Sequence, residues 1–167
     1  MPVAKQHHVT ICLENLLRTY HHHYYDAPCT DAKEACEYID RLNIEAGAEV
    51  FGFCLDVGHL HASHRDPYKY ILELGHRIKC LHLHENDGTC DSHLLPYSQK
   101  NSTGEQATLD WERILKALRE VGYWGTISFE TFLGIRAFPE ELRPQALKLL
   151  ATIGKHFAES ISNLSAD

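Results

Sequence analysis

"RIKCLHLHENDGTCDSH", residues 77 to 93, begins as an apolar, β-rich run and ends as a cluster of ligand-type side chains. His82, His84 and His93 stand close to Glu85, Asp87 and Asp91. A strand over 77–84 alternates its side chains across a sheet, so His82 and His84 share one face. Leu81 and Leu83 then share the other. The segment from His82 onward reads either as a polar surface loop or as one wall of a divalent-metal site. The rest of the chain decides between them.

Three more runs have the same form: "HVTICLE" (8–14), "EVFGFCLD" (49–56) and "WGTISFE" (124–130). Each is short, rich in β-branched or apolar residues, and followed by a polar loop and a helical pattern. The first helix runs from Thr30 to Ala46, with Thr30 or Asp31 as its cap. The second lies in "RDPYKYILELGHR" (65–77), with Tyr70, Ile71 and Leu74 on one face. The third, "LDWERILKALREVG" (109–122), starts at an Asp110 cap and stops at Gly122. The fourth, "FPEELRPQALKLLATIGKHFAESI" (138–161), carries an apolar stripe of Leu142, Ala146, Leu149, Ile153 and Phe157. Such alternation specifies an α/β fold with a parallel sheet and right-handed crossovers. Folds of this kind place their chemistry at the carboxyl ends of the strands.

Those ends are Glu14, Asp56, His84 and Glu130, each preceded by a leucine or a phenylalanine. In one register the four share the inner face of the sheet, and the apolar residues before them face the helices. His82 points the same way as His84, one layer lower. Periodicity leaves both open, and the position at the strand end favours His84. Three carboxylates and an imidazole brought together need a cation or raised pKa values. The oxygen-rich set leans toward Mn²⁺, with Zn²⁺, Co²⁺ or Mg²⁺ as alternatives. His59 follows Asp56 by three residues in the strand-to-helix loop, and Asp91 and His93 form a second polar pair facing the site. The connection over residues 85 to 107 exceeds ordinary loop lengths and is a candidate functional loop. Cys12, Cys54 and Cys80 read as small residues filling a barrel interior, and His21, His22 and His23 as a mobile loop.

The bulk composition narrows the classes. The 167 residues suffice for one domain with a core, and 44% hydrophobic with 23% charged residues reads as globular. A formal net charge of −7 without a basic cluster disfavours a nucleic-acid surface. Neither a bilayer-length apolar run nor a signal-peptide pattern is present, which makes the cytoplasm the expected location. The six cysteines lack a C-x-x-C pair and are expected as thiols.

Taken as a set, "ICLEN", "LDVGH", "HLHENDGTCDSHLLP" with its following "LDW", and "TISFET" resemble the xylose isomerase-like TIM-barrel superfamily. That group includes sugar-phosphate isomerases and epimerases, ketose 3-epimerases, inosose dehydratase and endonuclease IV-type enzymes. The resemblance implies that residues 1–167 are one half of a (β/α)₈ barrel, strands five to eight. It implies one metal held by Glu14, Asp56, His84 and Glu130, and the acidic Asp87 three residues after His84 fits the family pattern. His59 would contact substrate, as in the epimerases, with His82, Asp91 and His93 beside it. In the endonuclease branch, the equivalents of His59, Asp91 and His93 hold a further zinc.

The sequence departs from the family in three ways. A full barrel takes about 250 residues, so either two copies pair to complete one or the chain is a truncated barrel, and a homodimer is the expected case. Cys90 stands where ketose 3-epimerases carry an arginine. The loop "LLPYSQKNSTGEQATLDW" (94–111) replaces the usual glycine-rich one. The expected activity is that of a metal-dependent isomerase or epimerase acting on a small sugar or sugar phosphate. Glu14 and Glu130 would move the proton through an enediolate. The alternatives are an endonuclease IV-like phosphodiesterase and a non-catalytic metal-binding half-barrel.

Overall fold

Leu13, Leu55, Leu83 and Phe129, the residues expected to turn away from the site, all pack into or against one core. In the computed structural model, which describes residues 2–20, 23–99 and 109–162, they sit on four parallel strands. These are β1 (Ile11–Glu14), β4 (Phe51–Asp56), β5 (Ile78–Leu83) and β6 (Thr126–Phe129), in the order β1-β4-β5-β6. The chain is therefore α/β, with strands alternating with helices as the sequence pattern requires.

The helices covering the sheet are α2 (Ala32–Ala46), α4 (Pro67–Leu74), α5 (Trp111–Glu120) and α7 (Arg143–Ser162). Of the two proposed caps for α2, Asp31 is the one used: it accepts a hydrogen bond from the Glu34 amide at 3.0 Å. The helix closes on Gly47 in a left-handed conformation at φ 61°. Asp110 caps α5 in the same manner, accepting from the Arg113 amide at 3.1 Å. Trp111, Ile114, Leu115 and Leu118 of α5 meet Phe157 of α7 and Leu81 and Leu83 of β5 in the core. Burying these large apolar side chains is the main stabilising term of the fold.

Three readings need correction. The segment after β1 is an antiparallel hairpin, β2 (Leu17–Tyr20) and β3 (His23–Asp26), rather than a simple polar loop. His23 belongs to β3, while His21 and His22 lie outside the described residues. In α7 the buried face runs through Ala146, Leu150, Phe157 and Ile161, with Ile153 packed beside it. Leu142 and Leu149 are exposed. Ala146, Ile153 and Phe157 face inward as expected, and Leu150 takes the place of Leu149 because "LKLL" offers apolar residues on two adjacent faces. Of the long connection after β5, residues 100–108 lie outside the described residues.

A short helix, α1 (Pro2–His7), leads into β1, and α3 (Val57–Ala62) and α6 (Phe132–Arg136) follow β4 and β6 directly. Among the described residues no helix is long and apolar enough to cross a membrane. The outer strands β1 and β6 each have one hydrogen-bonded neighbour.

Candidate metal centre

The strand register sets the heights of the site residues. Glu14 stands opposite Cys54, Asp56 opposite His82, and His82 opposite Ser128. The ligand-type residues therefore climb the ladder from β1 to β6, a stagger that the tilted strands of a barrel require if their ends are to meet. As a result His82 and His84 enter different surroundings, although two residues apart on one face.

His82 lies in the open part of the site. Its Nδ1 is 3.2 Å from Glu14 Oε1 and 3.3 Å from Glu130 Oε1. Roughly a quarter to a third of each of these three side chains is exposed. His84 lies in the buried part, with no exposed side-chain surface. Its Nε2 is 3.1 Å from Asp56 Oδ1 and 3.5 Å from Asp91 Oδ1. Its ring stacks on His93 at 4.1 Å between centroids. Gly58 makes room for it: a Cβ there would stand 2.0 Å from His84 Cε1.

Asn15 holds the two sides together, a role the sequence reading did not assign. Its buried amide donates to the Asp56 carbonyl at 2.8 Å and accepts from the Asp56 N–H at 2.9 Å. Its own carbonyl accepts from His59 Nδ1 at 2.8 Å. His93 Nδ1 donates likewise to the Glu130 carbonyl at 2.7 Å. Both imidazoles therefore turn Nε2 toward Asp91 Oδ2, at 3.5 Å from His59 and 3.2 Å from His93. Anchoring Nδ1 on a carbonyl and presenting Nε2 is how metal-binding histidines are oriented. His93 adopts φ 48°, a left-handed conformation held by these contacts.

In the buried part, burial and neighbouring charge oppose each other. Burial works against an imidazolium at His59, but Asp91, Asp56 and the Asn15 carbonyl outweigh it and push the pKa up to about 9. Burial opposes the charge on His84 too, and Asp56 raises its pKa nonetheless. Asp91 is lowered by the imidazoles of His59, His84 and His93 against the cost of its burial.

The remaining acidic residues of the opening motif are not part of the cluster. Glu85 is fully buried and accepts from Trp111 Nε1 at 2.7 Å, Tyr97 N at 3.1 Å and Leu109 N at 3.3 Å. It fastens the loop to α5. Burial raises its pKa, with these donors opposing. Asp87 accepts from Thr89 in a surface turn. Asn86 donates to the Gly58 carbonyl at 2.9 Å and holds His61 at 2.8 Å. Tyr24 of the hairpin accepts from the Asp91 amide at 2.7 Å, so β2–β3 braces the same loop. Cys90 is exposed.

The donor chemistry fits a divalent ion. Among the described residues, four triads have ligand atoms within 4.8 Å of one another: Glu14–Cys54–His82, Asp56–His82–Glu130, Asp56–His59–His84 and His84–Asp91–His93. Asp56 Oδ2 and Asp91 Oδ1 are buried acceptors without a hydrogen-bond partner among the described residues. Buried carboxylate oxygens of that kind are ordinarily satisfied by a donor or a cation.

Residues 1–153 match the family described as xylose isomerase-like TIM barrel, and the chain belongs to that family. The "Uncharacterized protein y4fM" of Sinorhizobium fredii (strain NBRC 101917 / NGR234) is 31% identical over 91 residues, 54% of this chain and 27% of its own. Among solved structures, D-psicose 3-epimerase with D-tagatose from Clostridium cellulolyticum H10 superposes with a TM-score of 0.68 at 17% identity. The match covers 94% of this chain and 52% of that one. A D-tagatose 3-epimerase-like protein gives 0.61 at 19% identity, covering 93% and 51%. These likenesses establish the fold, and the chain spans about half the length of the solved structures it matches.

Proposed function

We propose that the chain forms the metal-binding half of a sugar or sugar-phosphate isomerase or epimerase that works through an enediolate. One observation carries the reading. Glu14 and Glu130, from the two outer strands, approach the same His82 nitrogen at 3.2 and 3.3 Å. Two partly exposed carboxylates facing each other across one imidazole suit the removal of a carbon-bound proton and its return. Glu14, Asp56, Glu130 and one or both of His82 and His84 would hold the ion. When bound, a divalent metal supplies Lewis-acid polarisation of a carbonyl oxygen, which acidifies the neighbouring C–H.

The chain's own residues do the rest. Glu14 or Glu130 takes the proton. The opposite carboxylate, in its acid form, delivers one to the neighbouring carbon in an isomerisation or to the opposite face of the same carbon in an epimerisation. His59, anchored through Nδ1 on Asn15, offers Nε2 toward a substrate oxygen beside Asp91 and His93. The fold similarity to sugar 3-epimerases supports a sugar as the class of substrate. A second copy of the chain would pair its β1 and β6 edges with these to complete the barrel. A monomeric mass in sedimentation equilibrium contradicts that pairing. The chemistry is tested by turnover of a panel of ketoses and their phosphates in heavy water. Deuterium at the reacting carbon of the product is expected, and turnover without it contradicts the proton-transfer route.

A second reading, an endonuclease IV-like phosphodiesterase, rests on the convergence of His59 and His93 on Asp91 Oδ2. The net charge of −7 weighs against it, because phosphate-backbone binding draws on positive surface. Cleavage of an abasic-site duplex by the metal-loaded protein decides for it, and sugar turnover without cleavage decides against it.

A further inference from the structure

Beneath Asp56 on the inner face of β4 lies a side chain that the proposed function does not use. Cys54 is 5% exposed and stands in register with Glu14 on one neighbouring strand and Cys80 on the other. Its sulfur lies within 4.8 Å of a Glu14 carboxylate oxygen and a His82 ring nitrogen, which lie as close to each other. The layer above supplies an independent sign of a cation. Asp56, fully buried, forms the same kind of triad with His82 and Glu130, and its Oδ2 has no hydrogen-bond partner among the described residues. His82 is common to both triads, so an ion bound to His82 has a sulfur on one side and carboxylates on the other.

We propose that Cys54 is a metal ligand, and that Glu14, Cys54 and His82 give this site a mixed oxygen, sulfur and nitrogen donor set that selects zinc or cobalt over manganese. Three protein donors with one position open to solvent match the ligand number of catalytic zinc sites. Glu14 and His82 are each 28% exposed, so the fourth position faces the open side of the sheet. A thiolate is a soft donor, which favours Zn²⁺ and Co²⁺ and disfavours Mn²⁺. Ligation replaces the S–H bond with an S–metal bond and releases the proton to solvent. The inference rests on the metal-dependent reading above and narrows its metal.

The test uses the purified full chain titrated with Co²⁺ and followed by near-ultraviolet absorption, with bound cobalt counted by elemental mass spectrometry. The expected result is stoichiometric cobalt with a sulfur-to-cobalt charge-transfer band. That band disappears in Cys54→Ser and persists in Cys12→Ser and Cys80→Ser. The preference for Zn²⁺ over Mn²⁺, read by competition, falls at least about tenfold in Cys54→Ser, the scale on which single contacts tune metal sites. Cobalt bound without the band in the wild-type chain overturns the Cys54 assignment and leaves the metal-dependent reading standing. No cobalt bound overturns both. A band that survives Cys54→Ser overturns the assignment even where that variant folds poorly, and the wild-type spectrum does not depend on any variant.

Discussion

The two imidazoles of β5 divide the site into unlike halves. Around His84 the groups are buried or nearly so and linked to one another: Asp56 meets His84, Asp91 sits between His59 and His93, and Asn15 and Gly58 fix their geometry. Asp56 Oδ2 and Asp91 Oδ1 have no hydrogen-bond partner among the described residues. Around His82 the carboxylates of Glu14 and Glu130 are partly exposed and held by few contacts of their own. The buried half is held by its own contacts, whereas the open half leaves its carboxylates accessible, as the proposed proton transfer requires.

Substitutions should separate the halves. Asp56→Ala removes the partner of a buried imidazole and the cap of α3, whose His59 amide donates to Asp56 Oδ1 at 2.8 Å. Breaking a buried pair from one side costs about 3–5 kcal/mol, so the urea midpoint should drop sharply or the variant should not fold. Gly58→Ala drives a methyl into the His84 ring and should cost about 2–3 kcal/mol by the same measurement. An unchanged midpoint would show that the ring is free to move aside.

The pH dependence sharpens the contrast further. The pKa of His59 is raised to about 9 from an ordinary 6.5. In metal-free protein its stabilisation is complete below pH 6.5 and is lost as pH rises through 9, on the order of 3 kcal/mol. Denaturation of chelator-treated protein at pH 6 and pH 9.5 checks this, and His59→Gln should flatten the difference. The smallest effect on stability belongs to the open half. Glu14→Gln should shift the midpoint by less than about 0.5 kcal/mol while lowering metal affinity at least about tenfold, read by calorimetric titration. A stability loss as large as that of Asp56→Ala would erase the distinction between the halves.

Much of this organisation is legible in the sequence because the strands report their own register. Leu or Phe before each terminal ligand marks the outward face, and period-two alternation then places Glu14, Asp56, His84 and Glu130 inward. Asp31 and Asp110 are visible as caps because a short acidic side chain precedes an apolar helical pattern. What alternation cannot supply is the stagger between strands. Which of His82 and His84 meets Asp56 depends on that offset and on the tilt of the sheet. The pairing of residues 17–20 with 23–26 is not legible in the sequence, because "YHHHYY" lacks the glycine or asparagine that signals a tight turn. Glu85 stands in the sequence beside two histidines, and only the fold brings Trp111 to it from 26 residues away. Asn15 closes the motif "ICLEN", but its part follows only from the approach of β1 to the end of β4.

The most direct test of the central claim is the divalent-metal content of purified, tag-free full-length chain, measured by elemental mass spectrometry beside Glu14→Gln and Asp56→Asn. The account predicts about one tightly held divalent ion per wild-type chain, weakened in both variants. Absence of bound metal from the wild-type chain, even after reconstitution with zinc, cobalt and manganese, would contradict it.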